Sequence, residues 1–266
     1  MRKTAAFLTL GCKVNQYETD AMRELFVKDG YEVRDFDQQA DVYVINTCTV
    51  TNIADRKSRQ MLHRARKKNP DSIIVAAGCY VQAAEEALKE DPMVDIVIGN
   101  NLKSRITEIV AQFMEDRRKM ARVEDISRGS EYETMEISEV SEHTRAYIKI
   151  QDGCNQFCSY CIIPYARGRV RSRLQEDILK EITGLAGKGY KEYVLTGIHI
   201  SSYGLDFENK QASDSQRGDC VQTANTDQDG HLEQKPFTVR ADNEEDYGPF
   251  AGSALIGLIE AIAEIP

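Results

Sequence analysis

Three apolar runs in the amino-terminal part of the chain each close on a small residue followed by a cysteine. Ala5 to Leu10 ends in Gly11-Cys12, Asp41 to Asn46 in Thr47-Cys48, and Ile73 to Ala77 in Gly78-Cys79. Helical patterns separate them. Residues 15–29 place Ala21, Met22, Leu25 and Phe26 on one face, and residues 53–68 repeat the pattern. A helix near Val81 to Lys89, a strand at Asp95 to Ile98 and a helix from Leu102 complete the series. Strands alternating with helices predict a parallel sheet covered by helices on both faces, an α/β Rossmann-like domain over residues 1–114. In an open parallel sheet the carboxyl ends of the strands share one edge, and ligands bind there. Cys12, Cys48 and Cys79 therefore occupy one structural slot and can converge, although any one of them alone reads as a small core residue.

The pattern changes further along. Residues 115–143 are polar and of mixed charge, and read as a linker with irregular strands. Residues 144–266 form a second unit. A strand over Ala146 to Ile150 leads into Asp152-Gly153-Cys154. Ser172 to Gln175 has the form of a capping box and opens a helix with Ile178, Leu179, Ile182 and Leu185 inward. A strand over Glu192 to Thr196 ends at Gly197, and a helix covers Ser253 to Ile265. Two parallel strands cannot bury both faces or close a barrel. The second unit is thus expected to be an incomplete barrel, a fragment or a body leaning on the first unit or on a partner. Residues 206–249 are rich in Asp, Gln, Asn, Ser and Gly and hold most of the excess acid, eleven acidic against four basic side chains. They are expected to be a disordered surface insertion, with Cys220 a free thiol of no function.

A length of 266 residues suggests two domains, and 41% hydrophobic residues suffice for real cores. No apolar run approaches the roughly 18 residues that cross a membrane, so no membrane association is expected. A net charge of −9 argues against a generic basic nucleic-acid binder. Seven cysteines, two of the gaps between them short, point to metal ligation rather than a disulfide frame, and thiolate ligands fit a reducing cytoplasm. Met1-Arg2-Lys3 ahead of Leu-Thr-Leu-Gly-Cys mimics a lipoprotein signal, but its apolar part is short and holds two Thr; it reads as a buried first strand.

Cys154, Cys158 and Cys161 have the spacing C-x3-C-x2-C on a loop after a strand. Three thiolates so placed hold three irons of a four-iron cubane and leave the fourth open to chelate the amino and carboxylate groups of S-adenosylmethionine. Reductive cleavage of the sulfonium then yields a 5'-deoxyadenosyl radical. A zinc site is the alternative, with His199 the nearest further ligand.

The stretch Gly153-Cys-Asn-Gln-Phe-Cys-Ser-Tyr-Cys-Ile-Ile-Pro-Tyr-Ala-Arg-Gly-Arg-Val-Arg-Ser-Arg173 resembles the radical S-adenosylmethionine methylthiotransferases, as does the order of three dispersed cysteines before the triad. The resemblance covers residues 1–205 and resumes at 250–266. Gly11-Cys-Lys-Val-Asn-Gln-Tyr-Glu-Thr19 and Asn46-Thr-Cys-Thr-Val-Thr-Asn-Ile-Ala-Asp-Arg-Lys57 look most like the branch that methylthiolates N6-threonylcarbamoyladenosine in tRNA, beside the anticodon. Sister branches act on isopentenyl-adenosine in tRNA or on a ribosomal-protein aspartate. The resemblance implies a second four-iron cluster on Cys12, Cys48 and Cys79, two uses of S-adenosylmethionine, as methyl donor and as radical source, and a flavodoxin or ferredoxin as reductant. Family members run on past this point with the rest of a partial barrel and an RNA-binding β domain, so the chain reads as carboxyl-terminally truncated; an inactive iron–sulfur RNA-binding fragment is the non-enzymatic alternative.

By the same resemblance, Tyr160 lies against the adenine of S-adenosylmethionine, and Thr196 and Gly197 meet its amino group. Packing and a turn are the plain alternatives. His199 reads as a polar strand-end residue. Arg167, Arg169, Arg171 and Arg173 alternate with Gly, Val and Ser, and suit RNA phosphate or the S-adenosylmethionine carboxylate. The basic helix over 56–68 reads as a solvated face, with a local tRNA backbone contact as the other reading.

Overall fold

The computed structural model describes residues 2–127, 131–138, 145–207 and 253–265. In chain order the elements are β1 (Thr4–Thr9), α1 (Lys13–Lys28), β2 (Glu32–Arg34), β3 (Val42–Thr47), α2 (Asn52–Lys68), β4 (Ile73–Gly78), α3 (Cys79–Ala83), α4 (Glu85–Glu90), β5 (Ile96–Ile98), α5 (Ile106–Asp116) and β6 (Met120–Arg122). There follow β7 (Ala146–Lys149), β8 (Gln151–Asp152), α6 (Ile163–Ala166), β9 (Arg171–Ser172), α7 (Gln175–Ala186), β10 (Tyr193–Thr196) and α8 (Ser253–Ala263).

The first six strands form one sheet in the order β2-β1-β3-β4-β5-β6, every pair parallel. Strands β3 and β4 are buried along their whole length, which is why they read as continuous apolar runs rather than alternating ones. One face packs Phe7, Val44 and Val75 against Met22 and Phe26 of α1 and Ile106, Val110 and Phe113 of α5. The other packs Tyr43, Ile45 and Ile74 against Leu62 and Ala65 of α2 and Val81 and Leu88 of α3 and α4. Burying a side chain such as Phe26 contributes roughly 1.5–3 kcal/mol. Strand order reverses between β1 and β3, the switch point where such sheets open a ligand crevice.

Strand β2, a three-residue edge, and the two-residue β8 and β9 lie beyond the sequence reading, while β6 continues the sheet inside the stretch read as a linker with irregular strands. All are too short to carry a strand period. The helix expected over 81–89 is broken in two at Ala84, whose φ of −136° is not helical. Ser172 is not a cap: it pairs with Gln151 in β9, its hydroxyl accepts from the Gly204 N–H at 2.8 Å, and Leu174 precedes α7. Residues 208–252, with most of the acidic stretch and Cys220, lie outside the described residues.

In the second unit β7 and β10 pair in parallel. Their core, Ile148, Ile150, Ile178, Ile182, Leu185, Tyr203 and Leu258, takes in Tyr17 and Ala21 of α1. Helix α1 is thus shared: Met22 and Phe26 belong to the first core, Tyr17 and Ala21 to the second. The two-stranded unit leans on the first, one of the outcomes its strand count allows. Mixed α/β architecture with an amino-terminal parallel sheet is as expected.

Candidate functional site

The amino-terminal cysteines meet at the carboxyl edge of the large sheet. Cys12 precedes α1, Cys48 follows β3, and Cys79 is the first residue of α3. Cys12 is exposed, while Cys48 and Cys79 are buried. Burial pushes the Cys48 thiol up, and Cys79 and Cys12 stand close enough to push it the same way. The loops that carry them are pinned. Asn15 Nδ2 donates to the Leu10 and Thr47 carbonyls at 2.7 and 2.9 Å, and Ser58 Oγ donates to the Cys48 carbonyl at 3.1 Å. Gly11 has φ +99°, and a Cβ there would stand 2.8 Å from Cys48 Sγ, so the backbone closes on the sulfur as only glycine permits.

The triad loop leaves β8 and returns through α6. Cys154 is buried, Cys161 half-buried and Cys158 exposed. The Cys154 N–H donates to the Gly168 carbonyl at 3.0 Å, and the Cys161 N–H to the Cys158 carbonyl at 2.9 Å. Phe157 takes a positive φ of 46° between the first two cysteines. Its ring lies edge-on to Tyr165, and the Arg169 guanidinium sits 4.3 Å from its centroid. Gly153, with φ +71°, is pressed onto the returning strand: a Cβ there would stand 1.9 Å from the Arg169 carbonyl oxygen. Gly153→Ala is therefore expected to displace the loop, costing about 1–3 kcal/mol from backbone strain before any clash. Iron retained by the anaerobically reconstituted variant measures this: a loss is expected, and parent-like iron at a parent-like Tm would contradict it.

The elements beside the two cysteine sets pack on each other. Helix α6, just after Cys161, packs on α3, which begins with Cys79. Asn100 Nδ2 donates to the Ala166 carbonyl at 2.5 Å, and Arg167 Nε donates to Cys79 Sγ at 3.1 Å. All six described cysteines are free of disulfides. Among the described residues no three Cys, His, Asp or Glu side chains are drawn tightly enough to hold a single metal ion. A cubane makes a different demand, because each thiolate binds a separate iron at a corner of the cube. Two sets of three undisulfided cysteines, glycine-opened backbone beside them and donors aimed at a sulfur fit such clusters.

The remaining expected residues divide. Tyr160 is 90% exposed at the triad mouth. Thr196 and Gly197 close β10 beside Gln151, whose Oε1 accepts from the His199 N–H at 2.8 Å. A Cβ on Gly197 would stand 2.9 Å from that same oxygen. His199 Nδ1 is 2.6 Å from Ser202 Oγ, a local contact. The arginine reading changes for three of the four. Arg167, Arg171 and Arg173 are at most 3% exposed, and only Arg169 is open to solvent. Those three turn inward, onto carboxylates. Arg173 pairs with Glu181 and donates to Tyr17 Oη at 3.1 Å. Arg167 pairs with Glu18 at 2.6 Å and Asp152 at 3.1 Å. Sequence reasoning missed Glu18, Asn100, Lys103, Lys149 and Gln151; the available signals were the Asp152-Gly153 pair ahead of Cys154 and a carboxylate, Glu18, one turn before Met22 on the apolar face of α1.

Residues 148–229 match the radical SAM superfamily, and residues 4–99 match the uncharacterized protein family UPF0004. The threonylcarbamoyladenosine tRNA methylthiotransferase MtaB of Bacillus subtilis (strain 168) is 49% identical over 77% of this chain and 46% of its own length. The chain belongs to the radical S-adenosylmethionine methylthiotransferase family. The enzyme of the same name from Aquifex aeolicus is 47% identical over 76% of the chain and 49% of its own length. The tRNA-2-methylthio-N(6)-dimethylallyladenosine synthase of Clostridium perfringens (strain SM101 / Type A) is 34% identical over 78% and 47%. The chain spans about half the length of the curated relatives it matches. In fold it is similar to the radical S-adenosylmethionine methyltransferase TsrM from Kitasatospora setae, solved with cobalamin and a 4Fe-4S cluster. That likeness has a TM-score of 0.51 and 16% identity, and covers 80% of this chain and 51% of the other. Family membership implies S-adenosylmethionine and one four-iron cluster. Among the described residues no helix is long and apolar enough to cross a membrane.

Proposed function

We propose that the chain provides the catalytic face of a methylthiotransferase acting on N6-threonylcarbamoyladenosine beside the anticodon of tRNA. The packing of α3, which begins with Cys79, on α6, which follows the triad, with Arg167 donating to the Cys79 sulfur, supports this reading. The identity of 49% to an enzyme named for that nucleoside, against 34% to one named for dimethylallyladenosine, supports the choice of substrate. Cys154, Cys158 and Cys161 hold one four-iron cluster, and Cys12, Cys48 and Cys79 a second. When bound, these supply one-electron chemistry and a sulfur for transfer.

The protein's own groups position and exclude. Tyr160, at the mouth, covers the adenine of S-adenosylmethionine, and Thr196 and Gly197 receive its amino group. Gln151 keeps their loop against the triad through His199. Arg169, the arginine open to solvent, takes an RNA phosphate. A boundary between β6, the last strand of the large sheet, and residue 144 separates a sulfur-transfer unit from a radical unit. A small redox protein of the flavodoxin or ferredoxin kind supplies electrons in the cytoplasm, with no membrane involved.

The test is nucleoside mass spectrometry after anaerobic reaction of the whole gene product that contains these residues. Purified tRNAs bearing either threonylcarbamoyl- or isopentenyl-adenosine are offered. The methylthio derivative of the first is expected, with at least about a hundredfold preference, near 2.7 kcal/mol of discrimination. Equal reaction, or preference for the second, would move the chain to the sister branch.

A further inference from the structure

Beneath Cys79 lies a network of enclosed charges. Glu18 meets Arg167 at 2.6 Å, Lys149 at 2.7 Å and also Lys103. Asp152 meets Lys149 at 2.6 Å, Arg167 at 3.1 Å and Arg171 at 3.6 Å. These ion pairs join four cations to two carboxylates, and every side chain in them is at most 4% exposed. Glu133, beside Lys103, is held by the Ser104 N–H and hydroxyl, and adds at most one further negative charge. Arg167, enclosed at the centre of these pairs, carries a charge that favours an anionic neighbour.

Arg167 points at that neighbour. Its terminal nitrogens face Glu18, Asp152 and Asn15, while its Nε–H faces Cys79 Sγ at 3.1 Å. Asn100 Nδ2 approaches the same sulfur at 3.8 Å, and Asn100 Oδ1 accepts from Lys103 at 2.8 Å. A guanidinium presents donors in a fixed planar fork, so one side chain can fix the sulfur and both carboxylates at once. Asp152 immediately precedes Gly153-Cys154, the root of the triad loop.

We propose that Arg167 is a positioning residue: its Nε–H holds Cys79 and makes the cluster on Cys12, Cys48 and Cys79 easier to reduce, while its terminal nitrogens tie that cysteine to the root of the triad loop. This rests on the two-cluster reading. Hydrogen bonds to sulfur and nearby positive charge raise cluster potentials, because the reduced form carries more negative charge. Arg173, equally buried, spends its charge on Glu181 and supplies the contrast.

The experiment is a redox titration followed by electron paramagnetic resonance, in a Cys154→Ala/Cys158→Ala/Cys161→Ala background that leaves one cluster. Arg167→Lys keeps a cation between Glu18 and Asp152 but cannot also reach the sulfur. Its cluster is expected to be retained, with at least a tenfold lower reduced-to-oxidised ratio at fixed potential, a fall of about 59 mV for one electron. Glu18→Gln/Arg167→Met, which removes charges of both signs, should shift the same way. An unmoved midpoint in either variant at full iron would overturn the proposal alone. Absence of any cluster from the background protein would overturn the proposal together with the two-cluster reading.

Discussion

Glu18→Leu is expected to lower the stability of the folded chain by about 3–5 kcal/mol, the cost of stranding buried partners of a broken ion pair. Against a total of roughly 5–15 kcal/mol for an ordinary domain, that removes most of the margin. Glu18 is fully buried on α1 and compensates Arg167, Lys103 and Lys149, which come from both units. Leucine fills the space but leaves three cations facing one carboxylate fewer. Urea unfolding of Glu18→Leu and of Glu18→Gln measures the effect; glutamine keeps an acceptor and should lose less. Parent-like midpoints for Glu18→Leu would show that the charges are hydrated and the network is not what joins the units.

The same network sets the acid limit of the fold. Burial alone would raise the Glu18 and Asp152 carboxyls, but the cations around them overcome it and hold both below the usual carboxylate range. A carboxyl whose folded pKa lies below its unfolded value contributes stability that is fully present above the unfolded value. That contribution is lost as the pH falls through the folded one. The parent should therefore hold its Tm down to about pH 4, the ordinary carboxylate range, and lose it steeply only below. Glu18→Gln should flatten that limb.

The sequence made the cysteine-bearing edge legible for a physical reason. Strands buried on both faces are written as continuous apolar runs, and each of the three ends where the backbone must turn, at Gly11, Thr47 and Gly78. What joins the halves was not legible. Helix α1 shows an apolar face through Met22 and Phe26, and Glu18, one turn before Met22, stands on that same face, where a carboxylate is expected to find a buried partner. The second unit packs on the turns around it, where Tyr17 and Ala21 enter its core. The partners of Glu18 stand 85, 131 and 149 residues away in sequence, so no local pattern announces them. The arginine alternation shows the converse. Period-two spacing at 167, 169, 171 and 173 reads as a phosphate-binding ribbon, yet inward-facing arginines with carboxylate partners produce the same spacing.

On the proposed function, radical generation needs only the cysteines that hold S-adenosylmethionine's cluster, whereas sulfur insertion needs the amino-terminal set as well. The two sets lie in different units, so losing one need not unfold the other. The most direct measurement is therefore of 5'-deoxyadenosine and methylthiolated nucleoside from one anaerobic reaction with substrate tRNA. It compares the whole gene product with its Cys12→Ala/Cys48→Ala/Cys79→Ala variant. The variant should keep about half its iron and a readily detected yield of 5'-deoxyadenosine, while its methylthio product falls at least about a thousandfold, near 4.1 kcal/mol. On the proposed function each removed thiolate is a ligand, so the expected loss is near total rather than graded. Methylthiolation at the parent rate would instead make Cys12, Cys48 and Cys79 core residues and contradict the account.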